Sequence, residues 1–388
     1  MEKMRWLFVA MLLTSGTAPS QSIVNPEKIA GILKRIMLQR EGKPSVKCEV
    51  TPIRPALNWG FRFQAGYIAR IPLNQFPGLG HRWAIIVKIT PEEGEGRPVY
   101  MVTRIDLPNI PETKLHAEMG GAYLMGQGRY QVEWNLVDEK NRVCQKDWTV
   151  KVELSRSDRK VQVAMPPNTV RELSLRDSIR VKRDKADMRP VRITVLLHAT
   201  PLSPRRSKLR PSDTLMLLGS LSALLERLPS RSVRLVVFNL EQQKEILRRD
   251  GFDPEALDQV AQSMNALELG SVDYTVLQNR GGHLQLLAEL VNREITATEP
   301  SDVVVFIGPM SRYWDKLPQA NLEKARDAPP HFFYFQFKPF FRRTANTPDS
   351  IQHLVDKLKG KTAIIHSPGE FAKAIEQLES RVTKARLY

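Results

Sequence analysis

A histidine ends an apolar strand pattern in the second half of this chain, and two hydroxyls follow it. Val191–His198 reads VRITVLLH, and Ala199-Thr200-Pro201-Leu202-Ser203 comes next. A buried, β-branched strand ending in a short polar loop before a long helix is where α/β proteins place their chemistry. An imidazole there can shuttle protons or hold a soft metal. Asp273 is the nearest carboxylate that could orient His198, and with Thr200 or Ser203 as nucleophile the trio would form a hydrolytic site. No Gly-x-Ser-x-Gly turn supports such a nucleophile, and no Cys or second His stands near His198 at ligand spacing. The alternative is a strand-end histidine bonded to neighbouring backbone.

A second set of residues belongs to the same rim. Gly308–Pro318 (GPMSRYWDKLP) follows an apolar strand and carries Arg312, Tyr313 and Trp314, types enriched in binding hot spots. In an open parallel sheet these residues, Thr200 and Ser203 share the carboxyl edge where ligands bind. Packing of Tyr313 and Trp314 on neighbouring helices is the competing expectation. Arg280-Gly281-Gly282-His283 opens a helix without G-x-G-x-x-G spacing, so it reads as a turn and not a dinucleotide loop. The aromatic run Phe332–Phe337, with Phe340 and Phe341 beyond it, reads as a strand buried on both faces.

The elements that position these residues follow from periodicity. From Cys48 to about Leu154 the period is two, in Asn58–Arg70, His81–Thr90, Pro98–Leu107, Arg129–Val137 and Val143–Leu154. Tyr130, Val132, Trp134 and Leu136 alternate with polar residues, which predicts one buried and one wet face. After Pro190 strands alternate with helices. The expected strands are Val191–His198, Ser232–Asn239, Ser301–Ile307, His331–Phe337 and Lys361–Ile365. The expected helices are Ser212–Arg227 capped by Ser212, Gln242–Arg249, Pro254–Leu267, Gly282–Ile295, Asn321–Ala328, Ser350–Leu358 and Pro368–Leu387. That rhythm predicts an open, mostly parallel sheet with helices on both faces. Asn25–Gln39 predicts a short amphipathic helix capped by Asn25, docked on one of the two domains. Arg156–Pro190 reads as a loose connection with one strand at Arg159–Met165.

The whole chain sets bounds on the setting. Its 388 residues suit about two domains. Lys3 and Arg5 precede the apolar run Trp6–Leu13, and small residues ending in Ala18-Pro19-Ser20 complete a signal-peptide pattern cleaved after Ser20. As a membrane anchor that run would be short, ~12 Å of helix against a ~30 Å hydrocarbon core. No later segment reaches the ~18 apolar residues of a membrane span, so no stable insertion is expected. Export predicts that the only two cysteines, Cys48 and Cys144, are paired, with two buried thiols as the alternative. The net charge is +16, and an excess of ten positive charges lies between Arg156 and Arg210. That segment could attract polyanions, although export and the lack of interleaved aromatics argue against nucleic acid. A solvated basic linker is the plainer expectation.

Gly128-Arg129-Tyr130-Gln131-Val132 resembles the tyrosine corner of immunoglobulin-like domains, except that Val132 stands where those domains place a cysteine. Residues 190–365 resemble the von Willebrand factor A-type fold. The resemblance implies a metal site built from an Asp-x-Ser-x-Ser loop, a Thr and a further Asp. In this chain those positions are His198, Thr200, Leu202, Val272 (in the stretch Leu269–Tyr274) and Gly308, leaving one hydroxyl and no carboxylate. The implied reading is an exported, multidomain binding protein. It comprises a signal peptide (1–20), a short helix and linker (21–47), a β-sandwich (48–155), a basic linker (156–190) and a doubly wound, Rossmann-like, von Willebrand A-like α/β domain (191–388). It is expected to need no cofactor and no metal. Its partner would be a protein or cell-envelope component, met through His198, Thr200, Ser203, Asp273, Arg312, Tyr313 and Trp314. A hydrolase built on His198 and Asp273 and a polyanion-binding module are the alternatives.

Overall fold

The computed structural model describes residues 21–39, 46–94, 96–173, 191–203, 206, 208–228, 230–253, 256–266, 274–324, 329–338 and 347–385. The expected signal peptide, residues 174–190 of the expected linker, Val272, Asp273, Phe340 and Phe341 lie outside these residues. The chain is a β-rich, multidomain protein that divides into two compact units. One comprises the chain before Pro55 with Ala65–Tyr123 and Gly128–Lys151. The other takes Pro55–Gln64, Leu124–Gln127 and everything from Val152 onward.

In the first unit, β1 (Ser22–Val24) and α1 (Ala30–Gln39) precede seven strands. These are β2 (Glu49–Leu57), β3 (Phe63–Pro72), β4 (Arg82–Pro91), β5 (Val99–Asp106), β6 (His116–Met125), β7 (Gly128–Asp138) and β8 (Val143–Val152). One sheet has the order β1-β5-β4-β7-β8, and β2, β3 and β6 follow one another in a second. The alternation in β7 buries Tyr130, Val132, Trp134 and Leu136. Trp134 meets Tyr67 of β3 edge-on, with centroids 5.8 Å apart. Asn25 caps the first turn through its side chain, which accepts from Glu27 N at 3.1 Å. Ile29 and Ile36 bury against Ile86, Val102, Val137 and Val143, which places this helix on the first unit. Cys48 and Cys144 form a disulfide with Cα atoms 6.3 Å apart.

In the second unit β9 (Val170–Glu172) leads to β10 (Val191–His198), α2 (Pro211–Arg227), β11 (Ser230–Asn239), β12 (Lys244–Arg249), α3 (Leu257–Asn265), α4 (Tyr274–Gln278) and α5 (Gly282–Ile295). Then come β13 (Val303–Pro309), β14 (His331–Phe337), α6 (Ser350–Lys357), β15 (Lys361–Ile365) and α7 (Pro368–Ala385). The sheet order is β12-β11-β10-β13-β14-β15, and every neighbouring pair is parallel except β11–β12. Because side chains alternate across a strand, its central strands feed two cores. Val195 and Leu197 pack with Leu217, Leu221, Val260 and Phe371. Leu196, Phe306 and Tyr334 pack with Leu287, Val291, Ile351 and Leu354. Burying each such side chain is worth ~1.5–3 kcal/mol, which explains why β13 and β14 contain hardly any polar positions.

Several expected elements differ. Gln242–Arg249 is not a helix: Lys244–Arg249 is an edge strand paired antiparallel with β11. A turn at Leu240–Gln243 reverses the chain, and Arg248 bonds Glu294 and Glu245 across the sheet face, so tertiary partners override the helix preference of Lys, Glu and Arg. α2 begins at Pro211 and not after Ser212, and Asp213 Oδ2 accepts from Arg210 N at 2.9 Å. Arg159–Met165 forms no strand; Ala164 N instead donates to Phe61 O at 2.8 Å. The helix expected at Asn321–Ala328 has only a 3-10 turn, Gln319–Asn321, at its start, and residues 325–328 lie outside the described residues.

Candidate functional site

The carboxyl ends of β10, β13 and β14 bring three loops together. His198 ends β10 fully buried, its ring stacked on Phe238 with centroids 5.1 Å apart. Its Nδ1 lies 3.2 Å from Pro309 O, and its Nε2 faces Glu241 Oε2 at 3.7 Å. Next to it Gly308 has φ +151°, and a Cβ there would lie 2.8 Å from His198 O and 2.9 Å from His198 Cβ. β10 and β13 thus approach so closely that the Gly308 position has no room for a carboxylate.

The carboxylate that organises this rim is Glu241, in the turn after β11. Oε1 accepts from Thr200 Oγ1 at 3.1 Å and lies 3.6 Å from Arg312 Nε. Burial pushes its carboxyl up, but the imidazole of His198, backbone bonding and the Arg312 guanidinium outweigh burial and hold it at about 2. Glu241 is therefore an anion at any physiological pH. Sequence reasoning missed it because Glu241 falls in the two-residue gap between the expected strand Ser232–Asn239 and the expected helix Gln242–Arg249. The usable signal was its place at the carboxyl end of the strand neighbouring β10.

Chemically, the order of groups matters. A hydrolytic triad places the imidazole between hydroxyl and carboxylate, so that it can take the hydroxyl proton. Here the carboxylate stands between Thr200 and His198, and the Thr200 hydroxyl donates to Glu241. That arrangement ties up the hydroxyl without activating it. Ser203 enters through its backbone, accepting from Arg206 N at 3.0 Å. Asp273 lies outside the described residues. Among the described residues no group of three or more His, Cys, Asp and Glu is placed to hold a metal ion.

In front of this buried layer is a cleft of about 180 Å³. Leu202, Met310 and Phe337 supply apolar walls, while Arg312, Trp314 and Lys338 supply polar and aromatic groups. Trp314 is 53% exposed, unusual for so large an apolar surface. Tyr313 is turned away: its ring stacks on His283 of α5 at 3.9 Å and 10°, and His283 Nε2 lies 3.1 Å from Asp315 Oδ2. The loop is braced by Asp349, which caps α6 and accepts from Ser311 N at 2.7 Å. Of the expected rim residues, Arg312 and Trp314 line the cleft, His198 and Thr200 lie buried around Glu241, and Tyr313 packs on His283 of α5.

No family model matches the chain, and no curated protein matches it. Among solved structures, superoxide reductase (neelaredoxin) from Ignicoccus hospitalis aligns at 13% identity over 34% of this chain and 94% of that one, with a TM-score of 0.20. A calcium-binding mutant of Bacteroides uniformis beta-glucuronidase 2 aligns at 9% identity over 80% of this chain and 38% of that one, also with a TM-score of 0.20. Likeness at that level carries no argument about fold or function.

Proposed function

We propose that this chain is an exported binding protein that takes its partner at the carboxyl edge of the second unit's sheet, through protein groups alone. In this reading an immunoglobulin-like β-sandwich precedes a doubly wound, Rossmann-like domain of the von Willebrand A type whose metal loop has been rebuilt. The strand order and the two helix-covered cores support the domain type. The donor set at the rebuilt loop is an imidazole, a hydroxyl and an already ion-paired carboxylate, a poor match for a hard cation that prefers several free oxygens. The disulfide suits an oxidising compartment, and no helix among the described residues is long and apolar enough to cross a membrane.

The observation that carries the proposal is the half-exposed Trp314 lining a formed cleft, beside a Glu241 carboxylate already engaged by Thr200 and Arg312. Aromatic and arginine anchors around a pocket are the usual centre of a protein-binding surface. The partner is a protein or another envelope component. The test is capture from envelope extract by the chain lacking residues 1–20. Arg312→Ala with Trp314→Ala should abolish capture while the circular-dichroism spectrum shows the fold retained, and EDTA should have no effect. Capture that survives the double substitution, or that EDTA removes, contradicts the proposal.

A further inference from the structure

Lys338 is the group in the cleft that the account so far leaves unused. It follows β14, is 2% exposed, and lines the cleft. Its backbone is pinned on both sides: the N–H donates to Ile365 O at 2.8 Å, and the carbonyl lies 2.7 Å from His366 Nδ1. Among the described residues, no carboxylate forms an ion pair with the ammonium and no acceptor bonds it. The nearby acid, Asp349, is already committed. Its carboxylate accepts from Ser311 N, Tyr334 Oη, Gln336 Nε2 and Gln352 N at 2.7 to 3.0 Å. Most of the Lys338 side chain is nonetheless out of water, which makes its charge harder to hold. Burial accordingly lowers the Lys338 pKa, with the Asp349 charge opposing.

Arg312 is a second cation on the same cleft. It spends Nε toward Glu241 at 3.6 Å and one terminal nitrogen on Arg206 O at 2.5 Å. A guanidinium has five N–H donors, so others remain. Glu241 does not line the cleft, so the cleft presents two cations, a tryptophan face and apolar walls of Leu202, Met310 and Phe337. Its 180 Å³ compares with the ~150 Å³ cavity that admits benzene.

We propose that this cleft binds a ligand carrying a carboxylate or phosphate beside an apolar body about the size of a benzene ring. Lys338 and Arg312 hold the anion, and Trp314 covers the apolar body. This rests on the cleft reading above and names the chemistry that the cleft selects.

The chain is titrated with phenylacetate, phenyl phosphate and benzylamine, following tryptophan fluorescence, with the Trp314→Phe variant identifying the responding residue. Calorimetry supplies the affinities. Both anions should bind, and benzylamine should bind about tenfold more weakly or not at all. The stronger of the two anions identifies the headgroup. Lys338→Met should weaken anion binding by about tenfold and leave the melting temperature unchanged or raised, because it replaces a charged side chain that is largely buried with an apolar one. Lys338→Arg should retain binding within a few-fold. Benzylamine binding as tightly as phenylacetate, or anion binding unchanged in Lys338→Met, overturns the proposal. If neither anion binds while Arg312→Ala with Trp314→Ala still loses partner capture, the anionic chemistry falls and the cleft stands. If capture survives as well, both fall.

Discussion

Two ionisable side chains, Glu241 and His81, give the second and first units opposite responses to pH. Glu241 has a folded pKa of about 2 against an ordinary value of 4.5. A carboxyl depressed by folding contributes stability that is present above its unfolded pKa and lost as pH falls through the folded value. That contribution is on the order of 3 kcal/mol above about pH 5, and it drains away between about pH 5 and pH 2. Denaturant unfolding should show the second unit losing stability in this window, and Glu241→Gln should flatten the slope. His81 in the first unit behaves oppositely. Its Nε2 faces Pro77 O at 3.0 Å and its Nδ1 faces Glu139 at 2.8 Å, so the backbone carbonyl first and the carboxylate second raise its pKa above 6.5. The resulting stability is complete below about pH 6.5 and is lost as pH rises through the folded value. His81→Gln should abolish that alkaline loss, read as first-unit stability against pH with the imidazole followed by NMR. Neither partner was legible in sequence. Glu241 lies 43 residues from His198 and Glu139 lies 58 residues from His81, and only strand pairing closes those distances.

At the scale of elements, the strands that carry the cleft were legible because burial on both faces leaves an unbroken apolar run, as in VRITVLLH and HFFYFQF. β12 was not legible, because its residues KEILRR favour a helix locally and are held extended by β11 and by Glu294. Nor were β2 and β6, whose alternation is diluted by prolines in one and glycines in the other. Close packing of elements also gives Gly308 its role. A Cβ there meets the His198 backbone in a conformation that L-residues rarely adopt. Gly308→Ala should cost about 2–3 kcal/mol of stability through strain and strand displacement. If the urea midpoint of the second unit does not move, the close approach of β10 and β13 is not a constraint. The Asp349 cap on α6 makes a companion case. Asp349→Ala should cost about 2 kcal/mol or more, since it strands several buried donors besides the helix N-terminus.

Across the whole molecule, the two-unit plan follows the switch from period two to alternating strand and helix. The finer partition does not. Pro55–Gln64 groups with the second unit because Arg62 bonds Glu226 at 3.0 Å, Phe61 stacks on Phe371 and Trp59 packs on Phe337. Those partners stand 164 or more positions away in sequence, beyond any local pattern. The disulfide ties together the first unit, and closing its 96-residue loop restricts the unfolded chain by ~4–5 kcal/mol in the chain-entropy account. Replacing Cys48 and Cys144 with Ser should lower the first unit's denaturation midpoint accordingly, without moving the second unit's acid transition.

The central claim is that the partner sits on the cleft at the carboxyl ends of β10, β13 and β14. Site-specific photocrosslinking addresses it most directly, with a photoreactive phenylalanine in place of Trp314 and, as a control, in place of the exposed Lys373 of α7. Crosslinked partner from position 314 and none from position 373 is the predicted result. Crosslinking from 373 with none from 314 would contradict the account.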